Sequence, residues 1–518
     1  MRVSGHGLAP ARVGDRKGAP LQIEKIPLLN ELTMTQYQVV IGMEVHAQLQ
    51  TASKMFCACD AAVFGAPPNS HVCPVCLGMP GVLPVINRRA VEQTIRTGLA
   101  LAAEIAETAV FARKNYNYPD LPKGYQISQY ELPLCLGGSL TITGDDGRPK
   151  VIRVRRAHLE EDTGKSKHMN QNGVTYSLLD YNRSGMPLLE IVTEADLNSA
   201  QEAYDYLTKL RTILRYIGAS SGDMEKGAMR CEANVSVRTL LQAAQGEYGV
   251  KVEIKNLNSF SAVRGAVEYE VKRHIETIER GGTLQQVTLG WNEAEGRTFV
   301  QRSKESAHDY RYFPEPDLPP LRITRELVEQ LRATLPELPD AKQARFMAQY
   351  GLNLNDAATL VATQAVAAYF EATVAAYGGA GREVCNWITG PLFSAMSSAN
   401  QDIRSLKVTP DNLAALLTLL DRGIINRNIG QRVIATMLET GQAAADIVET
   451  EGLAQVSDSD ALHAIVREVI VANPTEATKY RAGNLNLLNF LIGQVMRATR
   501  GKANQTVVRQ LLEQALAE

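Results

Sequence analysis

Residues 37–50 read YQVVIGMEVHAQLQ, and this stretch decides the fold. Side chains of a strand alternate between its two faces. Val39, Ile41 and Val45 therefore share one face, and Glu44 and His46 share the other. Three further stretches carry a similar polar signature: HLEED at 158–162, LEI at 189–191 and RCEAN at 230–234. His158, Glu160 and Asp162 fall on one face of their strand, as do Arg230, Glu232 and Asn234 of theirs. An apolar face backed by a polar one is ordinary for a half-exposed antiparallel sheet. Carboxylates and imidazoles in place of Lys, Thr and Ser are not. Clustered carboxylates repel one another unless a cation or a proton sits among them. That points to a hard-metal site, Mg²⁺ clamping a phosphate chain.

Working outward, strand patterns recur at Leu140–Thr143, Val151–Arg155, Thr175–Asp180, Asn234–Arg238 and Lys251–Lys255. Helices interrupt them without strict alternation. One follows Asn87, one opens at a Ser199/Glu202 capping box, and one covers about 260–280 and ends at Gly281-Gly282. The expected class is α+β: a cradle domain with a mainly antiparallel sheet and flanking helices, then an all-α domain and a small all-α tail. The proline-dense run Tyr310–Pro320 closes the first part. Helical periodicity then covers 325–334, 340–350, 356–376 and 383–398. Past a break near 400–408, Thr409-Pro410 opens a fresh helix. The expected boundaries are 34–322 for the cradle, 323–402 for a helical linker and 403–518 for the tail.

Composition narrows the class. A chain of 518 residues is too long for one core. A net charge of −2 excludes an all-over basic surface. No apolar run reaches about 18 residues, so no membrane helix is expected. Seven cysteines, several of them clustered, fit a reducing compartment with a metal site better than a disulfide framework. The expected location is the cytoplasm. Residues 1–33 mix Gly, Pro, Arg and Lys without periodicity, and read as a disordered extension or a misassigned start ahead of Met34. Only as a transit peptide would they send the chain to an organelle, and Gly and Pro spoil the amphipathic helix this needs.

Cys57-x-Cys59 and Cys73-Pro-Val-Cys76 have the spacing of a closed tetrathiolate zinc site, in a Pro- and Gly-rich knuckle over 57–76. Neither a phosphate-binding loop nor a dinucleotide fingerprint is present, so a nucleotide would have to use the polar strands. There Glu44, Glu160 and Glu190 are expected to converge as metal ligands. His46 and Glu161 are second ligands or orienting groups, Glu161 only if the strand bulges or ends beside Glu160. Arg230 and Lys255 are candidate phosphate partners. The run 113–130 interleaves aromatic, amide and basic groups, a surface suited to stacking a nucleotide.

In order along the chain, these stretches resemble the GatB/GatE family, the tRNA-dependent subunits of bacterial glutamyl-/aspartyl-tRNA amidotransferases. The resemblance is carried by VVIGMEVH at 39–46, SKMF at 53–56, PGVLPV at 80–85, RKNY at 113–116 and YQISQ at 125–129. It continues in HLEEDTGK at 158–165, DYNRSGMP at 180–187, LEIV at 189–192, KVEIKNLNSF at 251–260, DYRYFPEP at 309–316 and FLIGQVM at 490–496.

The resemblance implies that ATP phosphorylates the side-chain carboxylate of misacylated Glu-tRNA(Gln) or Asp-tRNA(Asn), and that ammonia then displaces phosphate. Ammonia would come from glutamine hydrolysed in a partner amidase, with a small third protein wrapping both to make a heterotrimer; this chain shows no Ser-rich amidase signature of its own. The family's Mg²⁺ site falls here on Glu44, His46, Glu160, Glu161 and Glu190. The tail resembles a module that reads tRNA, with Lys479, Arg481, Arg497, Arg500 and Lys502 to meet phosphates. It departs from the family where GNLNLLN at 483–489 lacks the expected lysines. Two other readings stay open: a tRNA-independent, ATP-dependent carboxylate–amine ligase, and a non-catalytic RNA-binding scaffold.

Overall fold

The computed structural model describes residues 36–303, 309–454, 459–499, 501 and 503–517. The stretch 1–33, read above as an extension, lies outside them. The opening stretch forms strand β1 (Tyr37–Gln48). It lies inside a ten-stranded sheet. Strands β2 (Pro149–Glu161) and β3 (Pro187–Thr193) lie to one side, in the order β1–β3–β2. Strands β4 (Met229–Thr239) and β5 (Val252–Leu257) lie to the other, in the order β1–β4–β5. These neighbours pair antiparallel. A parallel pair joins β5 to Val287–Asn292. The β2 strand runs well past the expected 151–155, because the HLEE stretch continues it.

Val39, Ile41, Met43, Val45 and Ala47 of β1 are buried along one face. Burying a Val, Ile or Met side chain contributes roughly 1.5–3 kcal/mol. A one-residue slip would expose all of them and bury Glu44 and His46, so the register is strongly specified. Three helices cover this apolar side: α1 (Arg88–Ala100), α2 (Ala200–Tyr216) and α3 (Phe260–Glu279). Each starts at a side-chain cap. Asn87 accepts from Ala90 N, Ser199 from Glu202 N and Ser259 from Ala262 N. The Glu202 carboxylate turns to Asn198 N and Lys150. Helix α3 packs on β4, α1 on β2, and α2 on α3. On the polar face His158, Glu160 and Asp162 are buried as well, with Ser128 against Glu160.

Beyond the proline-rich strap the chain is helical. Helix Arg325–Ala333 packs back on the first core through Leu327, Val328 and Leu331. A second core runs from Phe346 to Leu453, and a third from Leu462 to Leu516. The break expected at 402/403 falls inside the second core, because Ile403 and Val408 are buried in it and tie the turn to helices on both sides. The run 356–376 is two helices, Leu354–Val361 and Gln364–Tyr377, separated at the cap Thr363. The run 383–398 carries a π-helical turn at Ile388–Leu392, where Pro391 removes a backbone donor. Among the described residues, no helix is long and apolar enough to cross a membrane.

Candidate active site

Cross-strand register builds the site. On β1, Glu44 stands opposite Glu232 of β4, and His46 opposite both Arg230 of β4 and Glu190 of β3. Glu190 stands opposite His158 of β2. Opposed residues on neighbouring strands project from the same face, so four polar combs merge into one basin.

Within it the carboxylates form two groups, where one was expected. In the first, His46 Nε2 lies 3.5 Å from Glu160 Oε1 and 3.6 Å from Glu190 Oε2, and His158 Nε2 lies 3.3 Å from Glu190 Oε2. In the second, Glu44, Glu232 and Glu253 bring ligand atoms within 4.8 Å of one another. Glu44 thus leaves the set with Glu160 and Glu190 in which it was expected, and His46 takes its place. Register is the cause. Toward β3, Glu44 meets Val192, whereas His46 meets Glu190.

The two groups balance charge differently. Lys255 Nζ bonds Glu232 and lies 3.3 Å from Glu253 Oε1. Asn234 Nδ2 donates to Glu44 Oε1 at 2.9 Å. Burial and the nearby Glu232 still push the Glu44 carboxyl above its usual value. Around Glu190 the counter-charges are imidazoles. Burial opposes a charged His46 ring, but Glu190 and Glu160 outweigh it and raise the ring to about 9. Burial, reinforced by Glu190, pushes Glu160 up. Burial also opposes the charge of Glu190, yet His158 and His46 hold it well below the usual carboxylate range. His46, Glu160 and Glu190 offer one nitrogen and two carboxylate oxygens within 4.8 Å of one another, a donor set that fits a divalent ion displacing the imidazole proton.

Glu161 is placed elsewhere. It follows strict alternation, without a bulge, onto the opposite face of β2. There its carboxylate binds Lys123 and accepts from Ile127 N at 2.9 Å. Arg230 and Lys255 do edge the basin, each already paired: Arg230 Nη2 lies 2.8 Å from Asp162 Oδ2. Sequence reasoning missed Lys114. Its ammonium stands 5.0 Å over the Tyr310 ring. Burial opposes its charge, but Glu160, Tyr312 and Glu190 together raise it above the usual lysine value. The residue sits in the expected aromatic–basic run, and the pairing of Arg113 with Phe313 and the bonds of Asn115 to Tyr310 O bring the strap tyrosines to it.

The four thiols of Cys57, Cys59, Cys73 and Cys76 also converge within 4.8 Å. That matches the spread of a tetrahedral site with Zn–S bonds of about 2.3 Å. The buried Lys54 ammonium stands beside them, 3.7 Å from Cys76 Sγ, and is anchored by Ser184 O at 2.7 Å and His71 O at 2.8 Å. A Cys57 hydrogen bond and that ammonium hold the Cys76 thiol down to about 5.

Residues 39–329 match the family model of the GatB/GatE catalytic domain, and residues 368–516 match that of the GatB domain. A protein of Thermomicrobium roseum, named as the B subunit of aspartyl/glutamyl-tRNA(Asn/Gln) amidotransferase, is 52% identical over 483 residues, covering 93% of this chain and 99% of that protein. Proteins of the same name from Anaeromyxobacter sp. and Moorella thermoacetica are each 50% identical, over 94% and 93% of this chain and 100% of their own lengths. The chain belongs to the GatB/GatE family. Both clusters of the basin lie inside the stretch that matches the GatB/GatE catalytic domain.

The second match covers the tail. Lys479 and Arg497 are exposed there. Arg481 is not a free contact, because its guanidinium donates to Leu516 O at 3.0 Å and Ala515 O at 3.4 Å and so caps the last helix. Arg500 and Lys502 lie outside the described residues.

Proposed function

We propose that this chain activates and amidates the side-chain carboxylate of an amino acid misattached to tRNA, as the GatB component of a glutamine-dependent amidotransferase. One observation carries the reading: His46, Glu160 and Glu190 gather in the basin of a chain whose same-named relatives match it nearly end to end. The substrates are Glu-tRNA(Gln) or Asp-tRNA(Asn). A carboxylate is a poor acyl donor because its leaving group would be oxide. Attack of its oxygen on the γ-phosphorus of ATP expels ADP and leaves an acyl phosphate. Ammonia then adds to the carbonyl carbon, and inorganic phosphate departs with one of the ammonia protons.

Such a transfer depends mainly on positioning and charge neutralisation. Bound Mg²⁺ would supply the neutralisation, held by His46, Glu160 and Glu190. His158 keeps Glu190 ionised. Lys114 and Arg230 offer donors to phosphate oxygens at the rim, with Lys255 beside Glu232. Tyr310 and Tyr312 of the strap narrow the basin and keep water from the acyl phosphate. A partner amidase delivers the ammonia, and a small third protein wraps both. Zinc on Cys57, Cys59, Cys73 and Cys76 pins the knuckle. We assign catalysis to 34–322 and RNA reading to 403–518, with 323–402 connecting them and sharing a core with the start of the tail.

The test is the assembled enzyme with glutamine, ATP and misacylated tRNA. Glu190→Gln should lower amide formation by about 10²–10³-fold while tRNA affinity stays within a few-fold. Equal loss of both would mean that Glu190 holds the fold. ATP turnover indifferent to tRNA would assign the basin to free carboxylates instead.

A further inference from the structure

Lys54 is placed as few lysines are. The residue is 0% exposed. Lysine is almost never fully buried unless it is paired, and an ammonium taken out of water needs a compensating negative charge. No carboxylate supplies one. Among the described residues its Nζ bonds Ser184 O at 2.7 Å, His71 O at 2.8 Å, Tyr181 O at 3.4 Å and Cys76 Sγ at 3.7 Å. Three carbonyls satisfy the donors, and none of them neutralises the charge.

The remaining contact is the Cys76 sulfur. With four protonated thiols beside it the ammonium has no counter-ion. Four thiolates around a divalent ion leave an excess of two negative charges, and one neighbouring ammonium halves that excess. Lys54 is therefore matched to a loaded centre and mismatched to an empty one.

The anchors of the ammonium tie two segments together. His71 lies in the knuckle, whereas Tyr181 and Ser184 lie in the loop that leads into β3. That loop is also bonded to its surroundings directly. Ser184 Oγ donates to Cys76 O at 3.1 Å, Met55 N donates to Gly185 O at 2.7 Å, and Gly185 N donates to Asp162 O at 2.9 Å. Loop and knuckle approach so closely at Gly185 that a Cβ there would stand 3.3 Å from Cys76 Cβ.

We infer that Lys54 is the built-in counter-charge of the thiolate metal centre, so that zinc binding in the knuckle and ordering of the 181–186 loop are one linked event. The inference rests on the zinc proposed for the four cysteines. Lys54 is a positioning residue, acting through Cys76.

Lys54→Gln and Lys54→Met in the assembled enzyme test it. Glutamine keeps hydrogen-bond donors and loses the charge; methionine keeps most of the volume and loses both. Zinc affinity is read by displacement of Co²⁺, whose thiolate charge-transfer absorption reports this centre and not the carboxylate basin. It should fall by about 10–100-fold in both variants, the scale found when a group supporting a metal ligand is removed. Melting gives a readout that a merely structural lysine would not move. Loaded with zinc, each variant should melt below the unaltered enzyme; stripped of zinc, the gap should shrink, because the ammonium then lacks its partner. Hydrogen exchange across 181–186 should rise on zinc removal in the unaltered enzyme and change less in the variants. Zinc held by Lys54→Gln as tightly as by the unaltered enzyme would show that donors suffice and would overturn the counter-charge. A melting gap equal with and without zinc would overturn it too. Should Lys54→Met fail to fold, Lys54→Gln and the exchange measurement decide. If Co²⁺ gives no thiolate absorption in the unaltered enzyme, the zinc assignment itself falls and takes the counter-charge with it; absorption there with Lys54→Gln unimpaired removes the counter-charge alone.

Discussion

The carboxylates around Glu190 and those around Glu232 lie on the same face of the same sheet, one strand pairing apart, yet they are neutralised by different means. Lys255 sits among Glu232 and Glu253 as a permanent cation. Around Glu160 and Glu190 the counter-charge is the His46 imidazole, which can lose its proton. A fixed ammonium makes a cluster self-sufficient. A titratable imidazole makes it exchangeable, because the proton can leave when a better cation arrives. The difference separates an acidic group that stabilises the sheet from one that can take an ion and release it.

The largest effect should fall where the contrast is sharpest. Glu190→Gln should lower kcat for amide formation by about 10²–10³-fold, the scale seen when one electrostatic contact to a transition state is removed. Glu232→Gln should cost less than about tenfold, since it removes a partner of Lys255 and no ligand of the proposed ion. Rapid-quench assays on both variants give the comparison. Equal losses would make the two clusters one functional unit.

Next comes pH. His46 is raised to about 9, above the usual imidazole value of roughly 6.5. In the metal-free protein the ring is therefore protonated at neutral pH, and ion binding must expel that proton. Mn²⁺ affinity, read by electron paramagnetic resonance, should rise about tenfold per pH unit below that value and level off above it. The stability sign is the reverse. The His46 contribution is fully present below pH 6.5 or so and is lost as pH rises through about 9. The metal-free melting temperature should fall across that window, while the loaded protein, without the proton, should show no such fall. A flat Mn²⁺ affinity would place the ion away from His46.

Much of this basin was legible before the fold was known. Alternation in residues 37–50 fixes which side chains share a face, and it also forecasts that Glu161 points away from Glu160 unless the strand bulges. What one-dimensional pattern cannot supply is the strand order. Whether Glu44 or His46 meets Glu190 depends on a single step of register between β1 and β3. Lys114 lies in the run read as a stacking surface, but nothing local singles it out from its neighbours; its place over Tyr310 depends on the strap some two hundred residues later, where Phe313 pairs with Arg113. The break near 400–408 fails as a core boundary for a related reason. Its polar turn residues are visible in sequence, but the burial of Ile403 and Val408 between helices is a tertiary event.

The smallest effect should come from the self-sufficient cluster. Lys255→Met removes the internal cation and leaves Glu232, Glu253 and Glu44 facing one another. The Lys255 side chain is 35% exposed, so solvent screens much of the repulsion, and the loss of stability should be about 1 kcal/mol. The variant then resembles the group around Glu190, three ligand groups with no lysine bonded directly to them. Added Mg²⁺ should therefore recover the lost melting temperature in Lys255→Met and do so less in the unaltered protein, where the ammonium competes for the same oxygens. If Mg²⁺ stabilises both proteins equally, Lys255 is not what keeps ions out of that cluster, and the distinction between a fixed and an exchangeable counter-charge would have to rest on His46 alone.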